Sequence, residues 1–151
     1  MRQLFLLLAL AFSLSVSAQQ NISNTSTIPA AVTDAFLKKF PNHADPKWSP
    51  NTYTTPTATT IYAVEFTTTM SKKRNEAWID KNGKIIKHIT AIDADHLPQA
   101  VLQSVTTSYP GHEIFDVEKI EENGRTDYAF DVKHGQSTSR VKMDKEGKLL
   151  E

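Results

Sequence analysis

The chain has 151 residues, with 17 basic and 17 acidic side chains and no cysteine. This balanced charge argues against nucleic acid as a partner, because binding a polyanion requires a basic surface. The absence of cysteine excludes disulfides and a thiol nucleophile, so stability has to come from packing.

The N-terminal segment has the layout of a cleavable export signal. Arg2 precedes an apolar run over residues 4–12, and small residues follow up to Ala18. The run is shorter than the roughly 20 residues that span a bilayer, which disfavours a membrane anchor. We predict a signal peptide over residues 1–18 and a disordered linker over residues 19–27. The product is expected to be exported, periplasmic or secreted, with no membrane insertion after cleavage.

Two segments are predicted helices with the same pattern. Apolar residues recur at every fourth position from Ile28 to Phe40, and again from Leu97 to Tyr109. This spacing produces one apolar stripe along a helix. Pro29 and Pro98 directly follow the first apolar residue of each segment, where a proline costs no hydrogen bond in the first helical turn. Pro41 and Pro110 directly follow the last apolar residue and end each helix.

Alternating apolar residues predict strands after each helix, at residues 62–66 and 128–132. Further strands are expected at about 75–80, 84–89, 137–144 and 148–150. Asn82-Gly83 and Asn123-Gly124 suit the positive φ angles of tight hairpins, so the sheet should be mainly antiparallel. The side chains predicted to be buried under the helices are Tyr62, Val64, Phe66, Ala77, Ile79, Tyr128, Phe130, Val132, Val141 and Met143.

The second half of the chain repeats the pattern of the first. Three pairs of segments correspond: 28–32 (IPAAV) with 97–101 (LPQAV), 62–66 (YAVEF) with 128–132 (YAFDV), and 80–86 (DKNGKII) with 144–150 (DKEGKLL). We therefore predict an α+β fold in which two tandem helix-plus-antiparallel-strand repeats form one curved sheet with helices on one face. The expected organisation is a single domain over residues 28–151, with repeats at 28–92 and 97–151.

Together with the export signal, this order of motifs resembles the beta-lactamase-inhibitor-like, PepSY-like family of exported bacterial proteins. The resemblance covers nearly all of residues 28–151. It implies a curved antiparallel sheet with helices on one face and the other face available to a partner. It does not imply a proven inhibitor, because the family name records a fold-level analogy.

Two features depart from this pattern. The Thr/Pro-rich loop at residues 49–60 has no counterpart in the second half, and we interpret it as a tolerated surface insertion in preference to a functional loop. Trp48 corresponds to Val117, so a binding surface that included Trp48 would not be duplicated. Trp48 is expected in the core.

The search for chemistry yields no catalytic residues, no metal site and no cofactor. None of the five histidines (His43, His88, His96, His112 and His134) forms the i, i+4 pair with a carboxylate that zinc hydrolases use. Asp93, Asp95 and His96 are three potential metal ligands, but acidic residues at that place suit the N-terminus of the second helix. Residues 80–83 lack the ligands of a calcium loop. The sequence contains neither a nucleophile elbow nor a glycine-rich phosphate loop.

The remaining site-like residues belong to the predicted open face. If Ala77 and Ile79 face the helices, alternation directs Glu76 and Trp78 to the opposite face. An exposed tryptophan among charges is typical of an interface centre. The alternative is that Trp78 caps a sheet edge or packs under the Thr-rich loop. The predicted partner-binding residues are Trp78, Glu76, Arg140, Lys142 and Asp131.

The leading functional hypothesis is therefore an exported, non-catalytic protein-binding or inhibitor-like module that uses the open face against another envelope or secreted protein. One alternative is a periplasmic carrier of a small molecule or peptide, which requires an apolar pocket between helices and sheet. The other is an undetected hydrolase, which requires buried titratable groups that converge on one point.

Overall fold

The computed structural model describes residues 28–49, 53–54 and 60–150. The predicted signal peptide, the predicted linker and most of the Thr/Pro-rich loop lie outside the described residues. The described residues contain two helices, α1 (Ala30–Lys39) and α2 (Gln99–Ser108), and a 3-10 turn (Ala94–His96) precedes α2. The strands are β1 (His43–Trp48), β2 (Tyr53–Thr54), β3 (Thr60–Thr68), β4 (Asn75–Asp80), β5 (Ile85–Ala91), β6 (Glu113–Glu122), β7 (Arg125–His134), β8 (Ser137–Asp144) and β9 (Leu149–Leu150). Neither helix is long and apolar enough to cross a bilayer.

The strands form one sheet in which every pairing is antiparallel. Its order is β1-β3-β4-β5-β6-β7-β8-β9, and the short β2 pairs with β3 off this path. Strands β5 and β6 pair directly through five residue pairs, from Lys87 opposite Glu122 to Ala91 opposite Glu118. The sheet therefore continues without a break from the first half of the chain into the second.

The predicted fold class, two tandem helix-plus-strand repeats, is wrong. The architecture is a single antiparallel sheet with two ten-residue helices, and not two tandem helix-plus-strand repeats. The physical reason is that local periodicity specifies individual elements, whereas the β5–β6 ladder joins segments on either side of the predicted repeat boundary. Because that ladder crosses the predicted boundary, the sheet is not divided into two units there.

The cross-strand register places both helices on the same face. Phe66, Asn75, Thr90, Lys119 and Tyr128 lie directly opposite one another along five successive strands. Directly opposite residues in antiparallel strands project from the same side of a sheet. Phe66 packs in the apolar cluster under α1, and Tyr128 packs in the cluster under α2. We call this side the helix face and the other side the open face.

Each helix covers its own apolar cluster on the helix face. Val32 and Phe36 of α1 pack against β3 and β4, and Val101 and Val105 of α2 pack against β6, β7 and β8. Nine of the ten side chains predicted to be buried are buried, and Tyr62 is half-buried. The predicted strand register is therefore confirmed.

The hairpin between β4 and β5 is closed by its own aspartate. Asp80 Oδ1 accepts hydrogen bonds from the backbone N–H groups of Asn82 and Lys84, both at 2.9 Å. Gly83 has a φ of +85° and lies against the carbonyl oxygen of Ala31 in α1. The predicted hairpin is confirmed, and the carboxylate of Asp80 serves as the acceptor of the turn.

Candidate functional site

The five residues predicted to bind a partner lie on the open face, but in two groups. Glu76 and Trp78 belong to β4, Asp131 belongs to β7, and Arg140 and Lys142 belong to β8. A row of directly opposite residues begins at Glu76 and continues across the sheet to β8. Side chains alternate between the two faces along each strand, so the other four candidate residues lie on the same side of the sheet as this row. Strands β5 and β6 separate β4 from β7, a distance of about 14 Å at the usual strand spacing.

Trp78 is half-buried and held by charged neighbours. Its indole Nε1 donates a hydrogen bond to Glu76 Oε1 at 2.6 Å. Lys87 Nζ lies 5.0 Å from the ring centroid, within range of a cation–π interaction. Because β4 lies between β3 and β5, Trp78 does not cap a sheet edge, and that alternative is wrong. The alternative that places Trp78 under the Thr/Pro-rich loop involves residues outside the described part of the chain.

Arg74, which sequence reasoning missed, connects the two halves of the open face. It immediately precedes β4 and contacts Glu65 on β3 at 3.8 Å, Glu76 at 3.6 Å, and Glu118 on β6 in a closer ion pair. Its partners therefore come from three strands. No spacing in the sequence indicates this arrangement, because Arg74 lies outside the periodic positions of a strand.

Arg140 extends the same network to β7 and β8. Its guanidinium contacts Glu118 Oε2 at 2.6 Å and Asp131 Oδ1 at 3.0 Å, and it donates to the carbonyl oxygen of Asp116 at 2.9 Å. Glu118 therefore bridges Arg140 and Arg74. Four carboxylates share these two guanidinium groups, so the chain of ion pairs carries excess negative charge.

A cleft of about 470 Å³ opens beside this network. Its charged lining residues are Lys73, Arg74, Asp93, Asp116, Glu118 and Arg140. The charged lining distinguishes the cleft from the mostly apolar pockets that enclose small ligands. Arg74, Glu118 and Arg140 are shared by the cleft and the ion-pair network of the open face.

Lys142 contacts a buried carboxylate of the open face. Asp127 is only 3% exposed, and its Oδ2 lies 2.7 Å from Arg125 Nη2 and 3.2 Å from Lys142 Nζ. Burial alone would raise the pKa of Asp127, but the hydrogen bonds from Arg125 and Lys142 outweigh it and lower that pKa. Asp127 is therefore ionised at neutral pH, and this charge holds Lys142 in place.

Trp48, predicted to lie in the core, is half-buried and packs against the core. Its ring lies 5.4 Å from that of Phe36 in an edge-to-face arrangement and packs against the cluster under α1. This contact places Trp48 on the helix face, away from the five candidate residues.

The acidic segment before α2 brings potential ligands together without enclosing them. The ligand atoms of Asp93, Asp95 and His96 lie within 4.8 Å of one another, and all three side chains are exposed. Asp93 forms an ion pair with Lys73, and His96 Nδ1 lies 2.9 Å from Asp95 Oδ1. Nothing further at this cluster points to a bound ion.

His88 occupies the helix face between the two apolar clusters. Its Nδ1 lies 3.3 Å from Glu121 Oε2, and its Nε2 lies 3.2 Å from Asn75 Oδ1 and 3.1 Å from Thr90 Oγ1. Burial lowers the pKa of His88, and the neighbouring Glu121 opposes this effect in part. The ring therefore connects β4, β5 and β6 through polar contacts, which is a structural role.

Comparison with known proteins places this geometry in context. The model of the family described as "Putative beta-lactamase-inhibitor-like, PepSY-like" matches residues 60–151. No curated protein matches the sequence.

Solved structures share the fold. A BLIP-like protein from Bacteroides fragilis NCTC 9343 superposes with a TM-score of 0.64 at 24% identity, covering 82% of this chain and 84% of that one. A structure from Bacteroides eggerthii DSM 20697, described as "putative periplasmic proteins", gives a TM-score of 0.68 at 18% identity, covering 82% and 86%. At these identities the likeness establishes the fold alone.

Proposed function

Because the chain belongs to the beta-lactamase-inhibitor-like, PepSY-like family, we propose that it is an exported, non-catalytic binding module. Its partner is another envelope or secreted protein, which it contacts through the open face of the sheet. The observation that carries this proposal is the composition of that face. Trp78 lies there beside a chain of ion pairs that runs from β3 to β8, while both helices occupy the other face.

The chemistry of the open face suits protein recognition. Tryptophan and arginine are the residues most enriched at the centres of protein interfaces. The carboxylates around Arg74 and Arg140 hold both guanidinium groups before a partner arrives, and less side-chain entropy is then lost on binding. A surface with fixed charges also favours partners of complementary potential.

The carrier and hydrolase alternatives lack comparable support. A carrier requires an apolar cavity between helices and sheet, but side chains of the two apolar clusters pack there. A hydrolase requires titratable groups that converge, whereas the buried carboxylates of the described residues are engaged separately. Asp80 accepts the N–H groups of its own turn, and Asp127 binds two basic side chains.

The experiment that tests the proposal compares two neighbouring residues on opposite faces. Purified mature protein captures its partner from a cell-envelope extract, and mass spectrometry identifies it. We expect Trp78→Ala to weaken binding of that partner by about 2 kcal/mol or more, the range of an aromatic hot spot. Because Trp78 is half-buried and bonded to Glu76, this variant should also lose about 1–2 kcal/mol of stability, less than a fully buried residue loses.

Ile79→Ala is the matched control, because Ile79 is fully buried on the helix face. We expect it to lose roughly 2–5 kcal/mol of stability. The folded fraction of this variant should bind the partner with wild-type affinity. If Trp78→Ala binds the identified partner as tightly as the wild type, the proposal is wrong.

A further inference from the structure

Two histidine rings stack where β6 and β7 approach the end of α2. The ring centroids of His112 and His134 are 4.8 Å apart, with 27° between the planes. His112 directly precedes β6 and His134 ends β7, next to the paired residues Glu113 and Lys133. The two rings are therefore cross-strand neighbours, although they are distant in the sequence.

The pair projects from the helix face. Ile114 and Val132, two positions along each strand, both pack in or against the cluster under α2. Because side chains two residues apart in a strand share a face, His112 and His134 lie on the same side as α2. This location is separate from the open face, so the inference does not depend on the proposed function.

Hydrogen bonding leaves Nε2 of His112 available as a ligand. Nδ1 of His112 lies 3.3 Å from the carbonyl oxygen of Pro110. A carbonyl oxygen only accepts, so this contact is a hydrogen bond only in the tautomer with the proton on Nδ1, which leaves the lone pair on Nε2. A ring N–H donated to a backbone carbonyl is the usual support of a metal-binding histidine. The ring of Tyr109 packs edge-on against His112 at 5.5 Å and steadies it.

The ring of His134 is also available. It is exposed at the end of its strand, and among the described residues no hydrogen bond engages either of its nitrogens. In the stacked arrangement the nitrogen lone pairs lie in nearly parallel planes, so binding of a shared ion requires the exposed side chain of His134 to rotate and direct a nitrogen toward the point that His112 Nε2 faces. Two imidazoles at adjacent cross-strand positions can then share one ion.

We propose that His112 and His134 bind one divalent late transition metal ion. Neutral imidazole suits Cu²⁺, Ni²⁺ and Zn²⁺, and hard cations such as Ca²⁺ and Mg²⁺ prefer oxygen ligands. The expected order of affinity places Cu²⁺ first. Two protein ligands leave further coordination positions for water.

The test is a calorimetric titration of the purified chain, carrying no histidine tag, with CuCl₂. We expect one tight Cu²⁺ per chain. His112→Ala and His134→Ala should each lower the affinity by at least about tenfold, since losing a direct ligand costs no less than losing its supporting contact. His96→Ala is the matched control, because His96 is an exposed histidine with two carboxylates nearby. The Cu²⁺ affinity of this variant should equal that of the wild type.

A second measurement needs no variant. Sub-stoichiometric Cu²⁺ should broaden the ring C–H nuclear magnetic resonance signals of His112 and His134 before those of His43, His88 and His96. The proposal is overturned if no Cu²⁺ binds, if His96→Ala and not the other two variants lowers the affinity, or if the signals of His96 broaden first.

Discussion

Gly147, in the hairpin after β8, has both a left-handed backbone and a close approach to α2. Gly147 has a φ of +81°, and an added Cβ would lie 2.5 Å from the carbonyl oxygen of Ala100 and 2.6 Å from Ser104 Oγ, both in α2. Gly124, in the hairpin between β6 and β7, has nearly the same φ of +80°, but nothing lies within 4 Å of its added Cβ. Comparing the two positions separates backbone strain from the close approach of a hairpin to a helix.

The expected costs follow from these contacts. A left-handed backbone costs an alanine about 1–2 kcal/mol, and both substitutions incur this cost. Gly147→Ala also forces the hairpin away from the backbone of α2, and such overpacking adds about 1–3 kcal/mol. We therefore expect a loss of about 1–2 kcal/mol for Gly124→Ala and about 2–5 kcal/mol for Gly147→Ala.

Urea unfolding of the two variants and the wild type under identical conditions measures the difference directly. Equal m-values would show that only stability has changed. Gly83→Ala provides a replicate, since its Cβ would lie 2.5 Å from the carbonyl oxygen of Ala31 in α1. If Gly147→Ala and Gly83→Ala cost no more than Gly124→Ala, the hairpins do not pack against the helices as described.

Three further predictions concern packing and charge. Phe36→Ala should lose roughly 3–5 kcal/mol in chemical denaturation, because Phe36 is 2% exposed among aromatic rings; an unchanged midpoint would remove it from the core. Asp127→Asn should cost about 1.5–3 kcal/mol at pH 7 by weakening its bonds to Arg125 and Lys142. The difference in stability between the wild type and Asp127→Asn should shrink as acid protonates Asp127 below its lowered pKa. A stability difference that persists in acid would contradict the ionic explanation. Because burial lowers the pKa of His88 in the folded state, the unfolded chain takes up its proton first as the pH falls below about 6.5, and stability should decrease there. His88→Gln should flatten this part of the stability–pH curve, and an unchanged curve would show that His88 does not contribute.

Sequence periodicity was sufficient to predict the helices and strands whose apolar residues keep one spacing along their whole length. The four-residue spacing of Val32 and Phe36, and the two-residue spacing of Val64 and Phe66, both identified side chains that the structure buries. Such signals are reliable because one element packs against one apolar cluster along its whole length.

Strands β1 and β6 were not predicted, for a local reason. Each contains a bulge at a residue with positive φ, Asp45 at 50° in β1 and Asp116 at 49° in β6. A bulge adds one residue to one strand and shifts the alternation beyond it. The two-residue pattern is therefore interrupted in both strands, and the β5–β6 pairing that unites the sheet could not be inferred.

The candidate site was likewise only partly predictable. Alternation along β4 identified Glu76 and Trp78, whose side depends only on the register of their own strand. The roles of Arg74 and Glu118 depend on which strands become neighbours. The order of strands in the sheet is a property of the tertiary structure, and no residue spacing in a single sequence indicates it.

The most direct test of the central claim is site-specific photo-crosslinking in intact cells. A photoreactive residue is placed at Lys47 or Lys133 on the exposed part of the open face, or at Leu37 or Gln103 on the exposed sides of the helices. These positions lie outside the proposed contact residues, so that binding is preserved. We predict that the two open-face positions crosslink to the same protein and that the two helix positions do not. Crosslinks from the helix positions alone would contradict the assignment of the open face as the binding surface.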